Sequence, residues 1–451
     1  MLQQLLAIAR NALVESIRQP IFFVLVLLAG VFQVFITWST AFSMGYSTSA
    51  EVHGDNKQLL EIGMASVFTF GMLLAAFVAT AVMSREIENK TVLTVVSKPV
   101  ARPALVVGKF LGVAGAILVA VLLMLLFLML SLRHEVMSTA ADDLDGPVIV
   151  FGFGAALLAI GVGVVGNYLY GWHFSQASML TMAPLMLLAY AGVLCLGKKW
   201  NLQPPGTDFK PQVATACAAL VIALMVLTAV AASVSTRLGQ VMTIVVCVGV
   251  FLGGLLSNHY FGRRAFRNHH VGLIESAVSP VVSEAAFNTP GATLLVTLQA
   301  QSSASVRVGM PFLYGPSPNG FPMTSPSFTP YTGDPKSEQA MMSENTAPAL
   351  VVTAVEGRVL TVRNIGHEAV RVGQPPRNGD YIFAAPTRIS PVALAVWGVV
   401  PNMHSFWLPD AVTQNRPVPL FHLGLIGVYG VFQITAWLGL GVVLFQKRDV
   451  G

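Results

Sequence analysis

SREIENKTVLTVVSKPVARPALVVGKFLG, Ser84–Gly112, is a charged hinge between two long apolar runs. Upstream, Met64–Met83 carries no charged residue. Downstream, Leu105–Leu130 carries only Lys109, near its start. A bilayer span needs about 20 apolar residues, so both runs are long enough to cross. The hinge is too short for a domain and too charged for hydrocarbon, which makes it a loop between spans. Arg85, Lys90, Lys98, Arg102 and Lys109 outweigh Glu86 and Glu88, and a basic loop beside spans belongs on the cytoplasmic side. Pro99 is placed to stop a helix. Thr91 sits mid-loop, where a bare tether needs nothing specific.

Composition agrees with a chain that lives in lipid. Charged residues make up 10% and hydrophobic ones 54%, against about 25% charged in a soluble domain. The net charge of +5 is spread thinly over loops, which implies no nucleic-acid partner. Cys195, Cys217 and Cys247 all lie in apolar runs and are expected as buried, unpaired thiols.

Working outward, the candidate spans are Ile21–Met44, Met64–Met83, Leu105–Leu130, Val148–Tyr168, Ala177–Leu196, Val213–Ala232, Gln240–Leu256 and Leu420–Phe445. The fold class is an all-α polytopic membrane protein with about eight transmembrane helices. The count is six if the glycine-rich 148–196 segment re-enters instead of crossing twice. Either number returns both termini to the cytoplasm, in accord with Arg10, Arg18, Lys447 and Arg448. Lys198, Lys199, Lys210, Arg263, Arg264 and Arg267 fall on the other side, against the rule. Before the first span, Leu5, Leu6, Ile8, Ala9, Leu13 and Ile17 share one helical face. Residues 1–20 therefore read as an interfacial helix that Pro20 ends or kinks. Residues 21–258 hold seven spans with a cytoplasmic loop at 84–104, and 401–451 the last span and a cytoplasmic end.

Residues 259–400 differ. Runs long enough to span disappear, and 310–348 is dense in Pro, Gly and Ser. LVVTAV, RVLTVRN, AVRVG and DYIFA, within 350–383, read as short strands, with Gly357, Asn364-Ile365-Gly366 and Asn378-Gly379 as turns. The segment is expected to be a small β-rich extracytoplasmic insert. ISPVALAVWGVV, Ile389–Val400, reads as a short helix along the outer interface.

Three stretches then carry a resemblance. Arg85-Glu86-x-Glu88-x-x-Thr91, Lys98-Pro99-x-x-Arg102 and Gly108-Lys109-Phe110-Leu111, in that order, resemble permease subunits of ABC-2-type transporters. The branch that looks closest includes gliding-motility and nitrous-oxide-reductase accessory permeases. IARNALVESIRQPI (Ile8–Ile21) looks like that family's amphipathic lead-in. PNMHSFWLPDA, an apolar span and FQKRDVG (Pro401–Gly451) look like its ending. The resemblance implies that the 84–104 loop is a coupling helix seated in a separate ATPase subunit, with Glu86, Glu88, Thr91, Lys98, Pro99 and Arg102 as the docking residues. It also implies two ATPase copies on a permease homodimer in the cell (inner or plasma) membrane. The competing function is a non-transporting anchor or receptor that presents the β insert.

Other motifs point to no chemistry of the chain's own. Gly192–Lys199, GVLCLGKK, has the glycines and lysine of a phosphate loop but lacks the Ser or Thr that binds magnesium. It also ends an apolar helix instead of following a strand. No catalytic residue, cofactor site or metal site is expected. Asp142, Asp143 and Asp145 recur like the start of a calcium loop without its later ligands. His259, His269 and His270 sit among arginines, which disfavour a bound cation, and His422 reads as interfacial. Apart from Lys109, near the start of its span, the spans contain no Asp, Glu, Lys or Arg. Ion-coupled carriers need such groups at membrane depth. Gly108/Gly112, Gly249/Gly253 and the Gly152–Gly166 run have the spacing of close helix packing, within the chain by default or across a dimer.

Overall fold

The computed structural model describes residues 2–39, 49–88, 101–136, 144–279, 291–301, 306–318, 350–365, 376–383, 387–413 and 418–446. They form two units. One comprises Met1–Leu255 with Pro401–Gly451, the other Leu256–Val400.

The first unit is a helical bundle. Its elements are α1 (Leu2–Arg18), α2 (Pro20–Ser39), α3 (Ser49–Glu88), α4 (Arg102–His134), α5 (Gly146–Tyr170), α6 (Phe174–Leu194), α7 (Pro211–Val234) and α8 (Gln240–Ser257). The chain returns with α10 (Pro409–Thr413) and α11 (Leu420–Gln446), α9 (Pro391–Val399) lying in the second unit. Among the described residues, eight helices are long and apolar enough to cross a membrane, those of α2 to α8 and α11. The chain is therefore a polytopic helical membrane protein with a small β-sheet region. The 148–196 segment makes two full helices. They are joined by a turn at Gly171, whose φ of +67° suits a residue without Cβ.

Lipid offers helices little hydrophobic reason to associate, so close contact and interhelical hydrogen bonds hold them. Gly108 and Gly112 do this for α1. A Cβ on Gly112 would lie 2.6 Å from Ala12 Cβ and also meet Ala9 O, and one on Gly108 would lie 2.9 Å from Ile8 Cγ2. The N-terminal helix thus beds one face on α4, burying Ala12, Ser16 and Ile17, while Leu2 and Leu6 stay exposed. It stops at Arg18, and Pro20 opens α2, a first-turn position where its missing N–H costs nothing. Gly163 and Gly166 likewise admit Ser178 and Trp172. Among the described residues of one chain, nothing lies within 4 Å of where the Cβ atoms of Gly249 and Gly253 would be, nor of Gly154 or Gly161, so packing within the chain does not use them.

Polar side chains stitch the helices. Gln33 Nε2 donates to Gly63 O (3.0 Å) and Ser66 Oγ (2.8 Å), joining α2 to α3, and Ser233 Oγ donates to Trp437 O (2.6 Å), joining α7 to α11. Cys217 and Cys247 are buried and unpaired as expected. Cys195, just past the end of α6, is exposed, because it caps the helix instead of lying within it.

The second unit contains a six-stranded antiparallel sheet in the order β4-β7-β2-β3-β6-β5. The strands are β2 (His270–Val278), β3 (Thr293–Leu298), β4 (Leu313–Gly315), β5 (Leu350–Glu356), β6 (Val359–Asn364) and β7 (Tyr381–Phe383). A separate ribbon pairs β1 (Phe266–Arg267) with β8 (Arg388–Ile389). Burial alternates along β3 and β6, the mark of strands with one packed face. Val296, Leu298, Phe312, Leu360, Val362 and Ile382 fill that face. The β5–β6 hairpin turns at Gly357 (φ +61°) and a second turn uses Gly379 (φ +87°). Three strands of this sheet, β2 to β4, lie outside 350–383, as do both strands of the ribbon. Burial pushes the Tyr314 phenol up to about 12, with the Asp380 carboxylate adding to it. Helix α9 (Pro391–Val399) buries none of its residues, although it is apolar throughout.

Candidate coupling site

The charged hinge starts and ends on well-defined elements. α3 is a continuous 40-residue helix that runs through Glu88, so Glu86 and Glu88 occupy its last turn. Thr91, Lys98 and Pro99 lie outside the described residues. Arg102 is the first residue of α4, followed by Pro103 in the first turn, again where a proline is harmless.

Around this break the bundle brings together parts distant in sequence. Met83 from α3, Leu105 and Val106 from α4, and Phe445 from α11 form a separate small core, with Ile8 of α1 and Val442 packed against it. Lys109 is 6% exposed, and its Nζ donates to Val82 O over 2.8 Å. The end of α3 and the start of α4 are therefore tied on both sides of the hinge.

Two arginines close the end of α11. Arg102 Nη1 donates to Gln446 O (3.1 Å) and Arg237 Nε to Leu444 O (2.8 Å). The last carbonyls of a helix have no intrahelical donor, and that end carries partial negative charge. Cations there satisfy both needs. Arg102, expected only as a docking residue, thus has a partner inside the chain. Its partner is 344 residues away, and no local signal in the sequence reports such a distance. At the same end, Ser175 Oγ donates to Ile17 O (2.8 Å) and Arg18 Nε to Gln176 Oε1 (2.7 Å). This end of the bundle gathers α1, the α3–α4 break, the α5–α6 turn, the α7–α8 turn and the end of α11.

The opposite end holds a buried ion cluster that hydropathy does not reveal. Arg133, which the sequence leaves just beyond the third span, is the penultimate residue of α4 and 9% exposed. Its Nη1 lies 2.7 Å from Asp145 Oδ2, its Nη2 donates to Leu196 O (3.3 Å), and its Nε lies 3.0 Å from Asp208 Oδ2 without the alignment of a hydrogen bond. Asp145 is fully buried and also caps α5, accepting from Val148 N. That arginine pairing, with the cap, accounts for Asp145 without calcium; Asp142 and Asp143 lie outside the described residues. Beside the cluster, Lys198 Nζ meets Glu135 Oε2 at 2.9 Å. The lysine of the phosphate-loop look-alike sits in a turn after a helix, engaged with a carboxylate. Of the histidines, His259 Nε2 lies 3.4 Å from Arg263 Nη1, His270 packs on Tyr381, and His422 is exposed at the start of α11.

Fold and site together define a polytopic membrane protein with a charged break after its second span. A family model described as ABC-2 family transporter protein matches residues 6–165, a stretch that contains most of α1, that break and its tie to α4. No curated protein and no solved structure matches the chain.

Proposed function

We propose that this chain is the membrane-spanning permease subunit of an ABC transporter, with residues 84–104 as the coupling segment for a separate ATPase. The observation that carries the reading is the coincidence of two things. The matched stretch 6–165 includes the hinge, and the hinge emerges where five parts of the bundle are tied together. A lever that is to move spans must be anchored in them. Movement of 84–104 by a closing ATPase would be passed to α3 and α4 directly, and to α11 through Arg102.

In this reading the hinge end faces the cytoplasm, since Arg10, Arg18, Arg102 and Arg237 gather there. The insert is then extracytoplasmic and the exposed apolar α9 rests at the outer interface. Two copies of the permease hold two ATPases in the cell membrane. The chain supplies positioning and transmission, and hydrolysis occurs in the partner.

The test is copurification. The tagged permease should retain an ATPase subunit, whereas the isolated chain should hydrolyse no ATP and Lys198→Ala should change nothing. ATP hydrolysis by the isolated chain that is lost in Lys198→Ala overturns the reading.

A further inference from the structure

We infer that a cavity between α2, α4 and α5, at the end of the bundle away from the hinge, binds a single-chain amphiphile. Such a ligand has one alkyl or acyl chain and a hydroxyl or carboxyl head. This binding does not depend on the transport reading.

The cavity holds about 200 Å³. It exists because α2 and α5 scarcely touch: α5 pairs with α6 along its length, and α2 packs on α3 and α4. Small residues keep the gap open. Gly30 lets the Phe127 ring lie where a Cβ would be 3.0 Å from it, and Gly152 and Ala156 line the α5 side. The walls are almost wholly apolar. A water needs two to four polar partners to stay in such a space, so hydrocarbon fits it and a water cluster does not.

One end is different. Ser131 and His134 line it. Ser131 Oγ reaches only Gln33 O, at a long 3.4 Å. His134 is 7% exposed. Its Nδ1 lies 2.9 Å from Glu135 O, and its Nε2 is buried without a hydrogen-bond partner. A buried polar atom left unpaired costs about 1–3 kcal/mol, so each such atom in a native fold calls for an explanation. A ligand head supplies the missing partner. Apolar walls with a few placed polar groups are the usual make-up of a small-molecule site. Access is lateral, past exposed Val31 and Leu157, which also line the cavity, and the medium there is rich in such chains.

The experiment uses the full chain in nanodiscs and dodecanoic acid with a terminal diazirine. After photolysis, adducts should map to the segments around Phe127 and Gly152, and excess dodecanoic acid should displace them. Gly152→Trp should remove most of this labelling. His134→Phe should weaken competition by dodecanoic acid roughly tenfold, the worth of one buried hydrogen bond, while leaving competition by dodecane unchanged. Should Gly152→Trp fail to accumulate, competition in the wild-type chain decides. Adducts confined to lipid-facing positions such as Val24 and Leu28, or insensitive to competitor, overturn the proposal. So does symmetric cross-linking through Phe153→Cys that closes the cavity, which would make a second copy the occupant.

Discussion

Arg102 Nη1 donates to the main-chain oxygen of Gln446 over 3.1 Å, so the residue that opens α4 also closes α11. The consequence is a division among the candidate docking residues. Arg102 is committed to the bundle, while Glu86 and Glu88 stand on the last turn of α3. Arg102→Ala should loosen the last helix as well as any partner contact. Arg102→Lys should restore charge but not the directed guanidinium donor. Limited proteolysis of the C-terminus should separate them, with Ala cut fastest, Lys intermediate and wild type slowest.

Lys109 tests the tie across the hinge. Its ammonium is buried and bonded to Val82 O. A hydrogen bond from a charged group contributes about 1.5–3 kcal/mol. Lys109→Met should therefore destabilise the bundle by about that much in chemical unfolding in detergent. Unchanged stability would show that the tie contributes nothing.

Gly112 tests the seat of α1. Any side chain there must displace the Ala9 carbonyl or the Ala12 methyl, and overpacking of this kind costs about 1–3 kcal/mol. Gly112→Val should detach α1, read as protease access near Arg10 and Arg18. Gly249→Val, with open space around it, should have no such effect.

The Arg133–Asp145 pair tests the opposite end. Removing one member of a buried pair strands the other charge, at about 3–5 kcal/mol, whereas replacing both with apolar residues is often neutral. Arg133→Met, which takes the cation away from fully buried Asp145, should lower the melting temperature sharply. Arg133→Met together with Asp145→Ala should recover much of the loss, less the helix cap that Asp145 also provides. Equal losses in the single and double variants would contradict a paired role.

The spans were legible because uninterrupted apolar runs leave few alternatives, and the hinge because charge breaks such a run. What escaped was governed by partners far away in sequence. Arg102 reads as a loop charge until Gln446 is placed beside it, and nothing local in the sequence singles out Arg133 before Asp145 is. α3 begins at Ser49, well before Met64, because its early turns (Glu51, His53, Asp55, Lys57) are too polar for a hydropathy window. β2, β3 and β4 pair with strands tens of residues on, and no local pattern announces those partners. Gly249 and Gly253 show the reverse: the packing motif is present, but no described residue of the same chain lies against it.

Orientation has its own test. With exposed Cys195 first changed to Ser, Ser97→Cys should resist a membrane-impermeant maleimide in intact cells, and Ser343→Cys should react. The opposite pattern would invert the bundle.

The most direct measurement is association of the ATPase with a Glu88→Ala permease, using equal amounts of each permease in the membrane. A docked carboxylate has its charge paired across an interface, and truncating one partner of such a pair costs about 2–5 kcal/mol. An exposed pair is worth at most about 1 kcal/mol. Copurified ATPase should fall by well over tenfold, or its turnover should become independent of transport, while α11 stays as protease-resistant as in wild type. A normal complex with normal transport would contradict the account and leave residues 84–104 a tether between two spans.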